Sequence, residues 1–387
     1  MEKFTSYLLT LFLGLFISCQ SKRDQGESQF LVHKVLPEIR IHQLELDTLE
    51  INYDGFVGKG FTVISGEKIH FLNQLKMELI EFDREGNFLG VLISSGEGPN
   101  EVPRFQSYLE AGGNKYFLDG YTIFTYDSTN NLINKRLIDF YHNSSMESVE
   151  NDPNTKDPGV YEIKYWANEL GMINGYLYTK VESSNPKFNF VMHEAYYREA
   201  ALYAQIDLKT GKVLKVMGNR PNVYLNYRFI PHFDYFYHDI QEKEVYLSFE
   251  PDSLIYVADL DFKIKEAFGA GGSQMDTDYI EVNTIDDWEA YWRNNRVHKG
   301  FYRYIKYFPK DKVLFRTYTV GSQDHTKFEY EDNPQRMQIF QDRKLIGDVA
   351  VPNTFKVIGK IGDDYYADGS VGNLNNEKIV IYRFKLP

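Results

Sequence analysis

Short runs that alternate apolar and polar residues fill most of this chain, and they come in pairs. MELIEFDREGNFLGVLI from Met77, TIFTYDSTNNLINKRLI from Thr122, ALYAQIDLKTGKVLKVMG from Ala201 and SLIYVADLDFKIKEAFG from Ser253 share one shape. Each reads as a strand, an Asp, a short turn and a second strand, because period-two alternation marks a half-buried strand. RMQIFQDRKLIGDVAV from Arg336 is a weaker fifth copy. The Asp residues are Asp83, Asp127, Asp207, Asp259 and Asp342, with Gly86, Asn130 and Gly211 following the first three closely. Asp caps a turn with its own side chain, and Gly or Asn tolerates the left-handed backbone that a tight hairpin needs. These acids are therefore read as structural.

A second pair of strands precedes each hairpin. KIHFLNQ, KYFLDG, YLYTKVE, EVYLSFE, KVLFRTY and DYYADGS each follow a tight turn: Gly66-Glu67, Gly112-Gly113, Asn174-Gly175, Gln241-Glu242, Lys310-Asp311 and Gly362-Asp363. Six units of four antiparallel strands, with a period of roughly 40–70 residues, predict an all-β, six-bladed propeller. The last unit stops after three strands. The unassigned alternating stretch Glu38 to Ile51 is expected to supply the fourth and close the ring, which removes two sheet edges.

GEGPNEVPRF from Gly96 is echoed by GNRPNVYLNYRF from Gly218. Both follow a fourth strand and lead into the next blade. In them Gly96 and Gly218 release the chain from β geometry and Pro99 and Pro221 stop the strand, each followed by Asn100 or Asn222. Long segments occur only between blades or between the second and third strands of a blade. Examples are His142 to Glu162, Ser183 to Ala200, Gly218 to His232, Ala270 to Gly300 and Gly321 to Gln335. Both connection classes leave a propeller on the same face, so the sequence predicts one elaborated face, the usual place for function.

The N-terminus carries a different signal. Lys3 is followed by an apolar run from Tyr7 to Ile17, too short to span a bilayer, and then by Ser18 and Cys19. Phe16-Ile17-Ser18-Cys19 has the form of a bacterial lipobox, with Phe where Leu is usual, and Cys19 is the chain's single cysteine. The expected organisation is a lipoprotein signal peptide at residues 1–18, a flexible tether at 19–37 and one propeller domain at 38–387. The lipid on Cys19 would hold the protein to the outer membrane, on its periplasmic or exposed side.

Composition narrows the partners. The net charge is -12, which leaves no basic groove for nucleic acid. Aromatic residues make up 16% of the chain, which favours strands. Arg104 and Arg228 follow the echoing loops. They are candidates to hold an anionic group near the central channel, or else to pair with an acid between blades. Trp288 and Trp292 share one face of a short predicted helix, as a sugar platform or a pin, and Trp166 borders another long loop. Glu147, Glu150, Asp152 and Asp157 lack regular calcium-loop spacing and read as a solvated acidic loop. His232 and His238 are too awkwardly spaced for a metal, so neither metal nor cofactor is expected. No nucleophile elbow, zinc-protease helix or phosphate loop is present.

The lipobox, the GEGPNEVPRF crossover and the IDLKTGKVLKVMG-type hairpins together resemble the six-bladed, TolB-like propeller lipoproteins of Bacteroidota, a family of unknown function. The resemblance covers about residues 30–387. It implies export to the envelope and assigns no catalytic residues. The expected function is a non-catalytic propeller that binds a small molecule, glycan or envelope protein on its elaborated face. The alternative is a glycan-active hydrolase or lyase whose acids come from several blades.

Overall fold

The computed structural model describes residues 30–387, except 52, 97, 99–100, 166–168, 191–193, 228–229, 231–232, 282–292, 325, 327–332 and 371–377. Six of its small sheets, one per predicted unit, make a six-bladed propeller, and a two-stranded ribbon of Ser184–Asn185 and Phe188–Asn189 lies in the blade three insert. Blade one runs Gly60–Ser65, Lys68–Asn73, Glu78–Phe82 and Phe88–Ser95; blade two runs Ser107–Ala111, Asn114–Asp119, Thr122–Tyr126 and Leu132–Leu137. Blade three runs Gly171–Ile173, Tyr176–Glu182, Tyr203–Ile206 and Val213–Met217; blade four runs Phe236–Ile240, Val245–Phe249, Leu254–Ala258 and Ile264–Gly269. Blade five runs Phe301–Phe308, Val313–Thr319, Gln335–Gln341 and Lys344–Val351. Blade six contributes Lys356–Ile361, Asp364–Asp368 and Ile381–Phe384.

The ring closes as the sequence predicts, with a finer division of labour. Three short N-terminal strands, β1 (Leu31–Lys34), β2 (Pro37–Ile41) and β3 (Asp47–Leu49), join three different blades. β1 adds in parallel to the outer strand of blade four, with Leu31 opposite Glu266. β2 adds in parallel to the outer strand of blade five. β3 is the missing fourth strand of blade six, antiparallel to Ile381–Phe384, with Thr48 opposite Tyr382. Arg383 locks the join through Asp47 at 2.7 Å and through Glu85 of blade one at 3.2 Å. Pairing with the ring thus starts at Leu31, ahead of the Glu38 boundary expected from the sequence.

The hairpin acids act as turn caps. Asp83 Oδ1 accepts the N–H groups of Glu85 and Asn87, both at 2.9 Å. Asp127 does the same for Thr129 and Asn131, and Asp259 for Asp261 and Lys263. The Asn87 side-chain amide, at 3.0 Å, and then these N–H groups hold Asp83 below the ordinary Asp range, and the Asn131 N–H leads in doing the same for Asp127. Gly86, Asn130 and Gly211 occupy the left-handed position, with φ of 87°, 65° and 80°. In blade four that position falls to Phe262, at φ 58°. Its ring lies 4.0 Å from the Tyr203 ring of blade three, a contact that offsets the backbone cost of roughly 1–2 kcal/mol. Asp342 departs from the pattern. It and Arg343 are themselves the two left-handed turn residues, at φ 47° and 65°, so Asp342 caps nothing.

The core lies in the seams between blades. Phe315, Met337, Phe355 and Phe384 fill the seam of blades five and six; Phe71, Phe82, Ile361 and Ile381 fill that of six and one. One seam also holds a charge. Arg316 of blade five is fully buried and reaches into blade four. Its guanidinium donates to the Ser253 and Ala270 carbonyls at 2.8 and 3.1 Å and to Gln338 Oε1 at 2.7 Å. It also stacks 3.9 Å from the Tyr302 ring.

Candidate functional site

In a four-stranded blade, the connections after the second and fourth strands emerge on one face. The long segments therefore meet there, and they interlock. The insert of blade three joins the segment after blade two through Asn185 Nδ2 to the Val149 carbonyl at 3.0 Å and Lys187 Nζ to the Asn151 carbonyl at 2.6 Å. Helix α1 (Met146–Asn151) ends that segment's first turn, capped by Ser145. Helix α2 (Glu194–Glu199) carries Tyr197, whose ring stacks on Tyr224 at 5.8 Å and 8°. Across blades four and five, Asn333 Nδ2 donates to the Val297 carbonyl at 2.7 Å, and Tyr279 packs on Phe233 at 4.7 Å. The inserts of blades two to five thus form one continuous layer.

Beneath that layer, charged side chains crowd the mouth of the central channel. Glu169, just before blade three, bridges opposite sides of the ring. Its carboxylate meets Lys180 of blade three at 3.2 Å and Lys356 of blade six at 2.9 Å. Burial pushes this carboxyl up, yet the two lysines prevail and hold it well below the Glu range. Lys180 also donates to the Phe236 carbonyl at 2.7 Å. Next to it, burial drives His238 down to about 3, so the ring is neutral, and its Nδ1 meets the Tyr203 hydroxyl at 2.7 Å.

A second group lies under the blade three crossover. Asp234 pairs with Lys164 at 2.8 Å and with Arg220 at 3.4 Å, and Lys164 also meets Glu182 at 3.0 Å. Burial would strip Lys164 of its proton, but Asp234 and Glu182 keep it charged. Glu250, at the end of a blade four strand, pairs with Arg296 at 2.7 Å. There burial outweighs Arg296 and pushes the carboxyl up to about 7. Asp368 of blade six is likewise raised by burial, to about 6, while it accepts the N–H groups of Thr62 and Ser370, both at 2.6 Å.

Glu250 gives a testable pH dependence. Its unfolded value is near 4.5 and its folded value about 7, so the native state binds the extra proton. The stability that this group contributes is complete below 4.5 and is lost as pH rises through 7. Asp368 acts the same way between 3.8 and about 6, while neutral His238 acts oppositely between about 3 and 6.5. The three overlap, so the test is a difference. Between pH 5 and 8 the native chain should lose roughly 2–3 kcal/mol relative to Glu250→Gln, whose amide still accepts from Arg296. Denaturant titrations of both chains at the two pH values check it; parallel curves would refute the assignment.

The residues singled out in the sequence fare unevenly. Arg104 is exposed, and its Nη2 lies 3.4 Å from the Tyr165 hydroxyl. Among the described residues it pairs with no acid. Gly96 takes φ 153°, and a Cβ there would sit 1.9 Å from Glu101 Oε2 and displace that carboxylate, while Gly218 takes φ 79°. Pro221 is buried and opens the 3-10 turn Asn222–Asn226, on which Asn222 is exposed. These loops shape the crossover. Asp157 caps a turn by accepting from Gly159 at 2.8 Å. Among the described residues no three His, Cys, Asp or Glu side chains gather as a metal site. Cys19, Pro99, Asn100, Trp166, Arg228, His232, Trp288 and Trp292 lie outside the described residues.

The lysines and acids of the mouth escaped the motif search because they form no motif. Their signal was a charge inside an apolar strand, as in YLYTKVE with Lys180, or closing one, as in EVYLSFE with Glu250. Burying such a charge is costly without a partner.

No family model and no curated protein matches this chain. Solved structures do. One is a DUF4221 family member from Bacteroides vulgatus, with a TM-score of 0.64, 14% identity, and coverage of 88% of this chain and 96% of that one. The chain shares its fold. Another is a Bacteroides fragilis protein named as a candidate exported protein, with a TM-score of 0.53, 11% identity, and coverage of 93% and 100%. At these identities the likeness speaks for the fold alone. No helix among the described residues is long and apolar enough to cross a membrane.

Proposed function

We propose that this chain is a lipid-anchored envelope propeller that binds an anionic ligand, without catalysis, at the channel mouth of its elaborated face. The observation that carries the reading is a charge inversion. The chain as a whole is at -12, yet the mouth gathers Lys164, Lys180, Arg220, Arg296, Arg303 and Lys356 against Glu169, Glu182, Asp234, Glu250 and Asp368. Six cations thus face five acids, and burial raises two of the acids, Glu250 and Asp368, while it also lowers Lys180. A cationic recess in an acidic surface concentrates anions. Arg104, exposed and without an acid partner among the described residues, and half-buried Lys356 are the cations a ligand would reach first. A guanidinium holds a carboxylate or phosphate through paired hydrogen bonds.

A glycan-active hydrolase or lyase is the second reading. Acids beside cations in the mouth favour it, above all Glu250 with its near-neutral carboxyl. Glu250 is 0% exposed, however, and an acid–base catalyst has to reach its substrate.

A thermal-shift screen of acidic glycans, phosphorylated metabolites and small carboxylates against residues 28–387 tests both. A ligand at 100 times its Kd stabilises the fold by about 2.7 kcal/mol. Arg104→Ala should leave the unliganded Tm unchanged and weaken the hit by about tenfold, the worth of one charge-assisted bond. A hit that ignores Arg104 and Lys356, or product formation from the bound glycan, would overturn the reading.

A further inference from the structure

The outer rim of the ring is not uniform. Blades four and five are edged by β1 and β2, and this edge is apolar where it meets solvent. Leu31 is 61% exposed, Val32 53%, Leu36 62% and Ile39 39%. All four fall within nine consecutive residues, LVHKVLPEI. The charges among them are mostly cations or neutralised acids. Lys34 and Arg40 are exposed, while Glu38 is taken up by Lys344 at 2.8 Å. His33 lies 2.8 Å from Glu266, which also holds Arg343. Arg40 donates to the Gln341 side chain and is not neutralised by an acid among the described residues. Apolar side chains interleaved with exposed cations, on a chain of net charge -12, are the composition of a surface that sits in a lipid headgroup layer.

The chain's own layout names the occupant. Leu31 stands 12 residues beyond Cys19, so a tether from that cysteine reaches at most about 40 Å, and the first ring residues it delivers are this strip. We propose that the rim formed by Leu31, Val32, Leu36 and Ile39, with Lys34 and Arg40, rests on the membrane and sets the propeller edge-on to it. The channel mouth then opens sideways, clear of the bilayer. The inference rests on the reading of Cys19 as the point of attachment, and it adds the surface that attachment brings into contact.

Blade one supplies the control. Its outer strand exposes Phe88, Leu89 and Val91 and carries no charge, but it lies far along the chain from the tether. Because the chain has a single cysteine, the mature protein from Cys19 can be coupled through that thiol to a maleimide phospholipid. The vesicles are phosphatidylethanolamine and phosphatidylglycerol, with or without bromine on the acyl chains. Attachment then no longer depends on whether the cell lipidates Cys19. In Leu36→Trp, the emission added over the native chain should be lost to brominated lipid. In Val91→Trp it should persist. Leu36→Trp emission that survives bromine, or equal loss from both variants, overturns the proposal. The mass of the protein extracted from its own membranes decides lipidation separately, so a failed anchor and a failed contact are told apart.

Discussion

Replacing Arg316 with methionine should destabilise the propeller by about 2–5 kcal/mol, because the buried neutral acceptors that its guanidinium satisfies lose their donor. Methionine fills the space of the stem but supplies no donors. The Ser253 carbonyl and Gln338 Oε1 would lose this donor, whereas the Ala270 carbonyl would keep Gln338 Nε2 at 3.0 Å. Each buried group left unsatisfied costs roughly 1–3 kcal/mol. Lysine in the same place keeps a charge but not the planar fork that spans blade four and Gln338, and should recover only part of the loss. Denaturant unfolding of the two variants beside the native chain measures it. A loss below 1 kcal/mol in the methionine variant would mean that the seam holds without its charge.

Removing the N-terminal strands should have a still larger effect. A chain starting at Gly55 lacks β1, β2 and β3, and with them the buried side chains of Ile41, Leu44 and Leu49. Blade six becomes a three-stranded sheet whose last strand, Ile381–Phe384, offers a bare edge, and the Arg383 pair with Asp47 is lost. Exposed apolar edges pair with other chains. The shortened chain should unfold without a cooperative transition or aggregate, whereas a chain starting at Phe30 should melt in one step. Leu49→Ala, the gentler probe, should cost about 2–5 kcal/mol. A cooperative, monomeric chain from Gly55 would show that the ring does not depend on its closure.

The outline of the ring was legible because each blade repeats its local chemistry. Asp83, Asp127 and Asp259 can be read as caps from three or four neighbouring residues, and the structure uses them so. The closing strand was legible from a deficit, a last blade one strand short. Asp342 was misread because an Asp near a hairpin can cap the turn or form it, and only the backbone angles separate the two. The added parallel strands β1 and β2 were missed for another reason. Their partners, Glu266 and Leu345, lie more than two hundred residues away, and strands of four and five residues carry little pattern of their own. The channel mouth is the extreme case. Lys356 and Glu169 meet only because blades six and three face each other across the ring. Nothing local to either residue says so.

The proposed function requires that the elaborated face, through its channel mouth, engages the ligand. Hydrogen exchange of the mature chain with and without the ligand found by screening tests that most directly. Exchange should slow in the crossover and insert segments 138–161, 183–190 and 218–227 and at the strand ends carrying Lys180 and Lys356, with no change at the opposite turns Gly66-Glu67, Gly112-Gly113 and Asn174-Gly175. Protection confined to those opposite turns would contradict it.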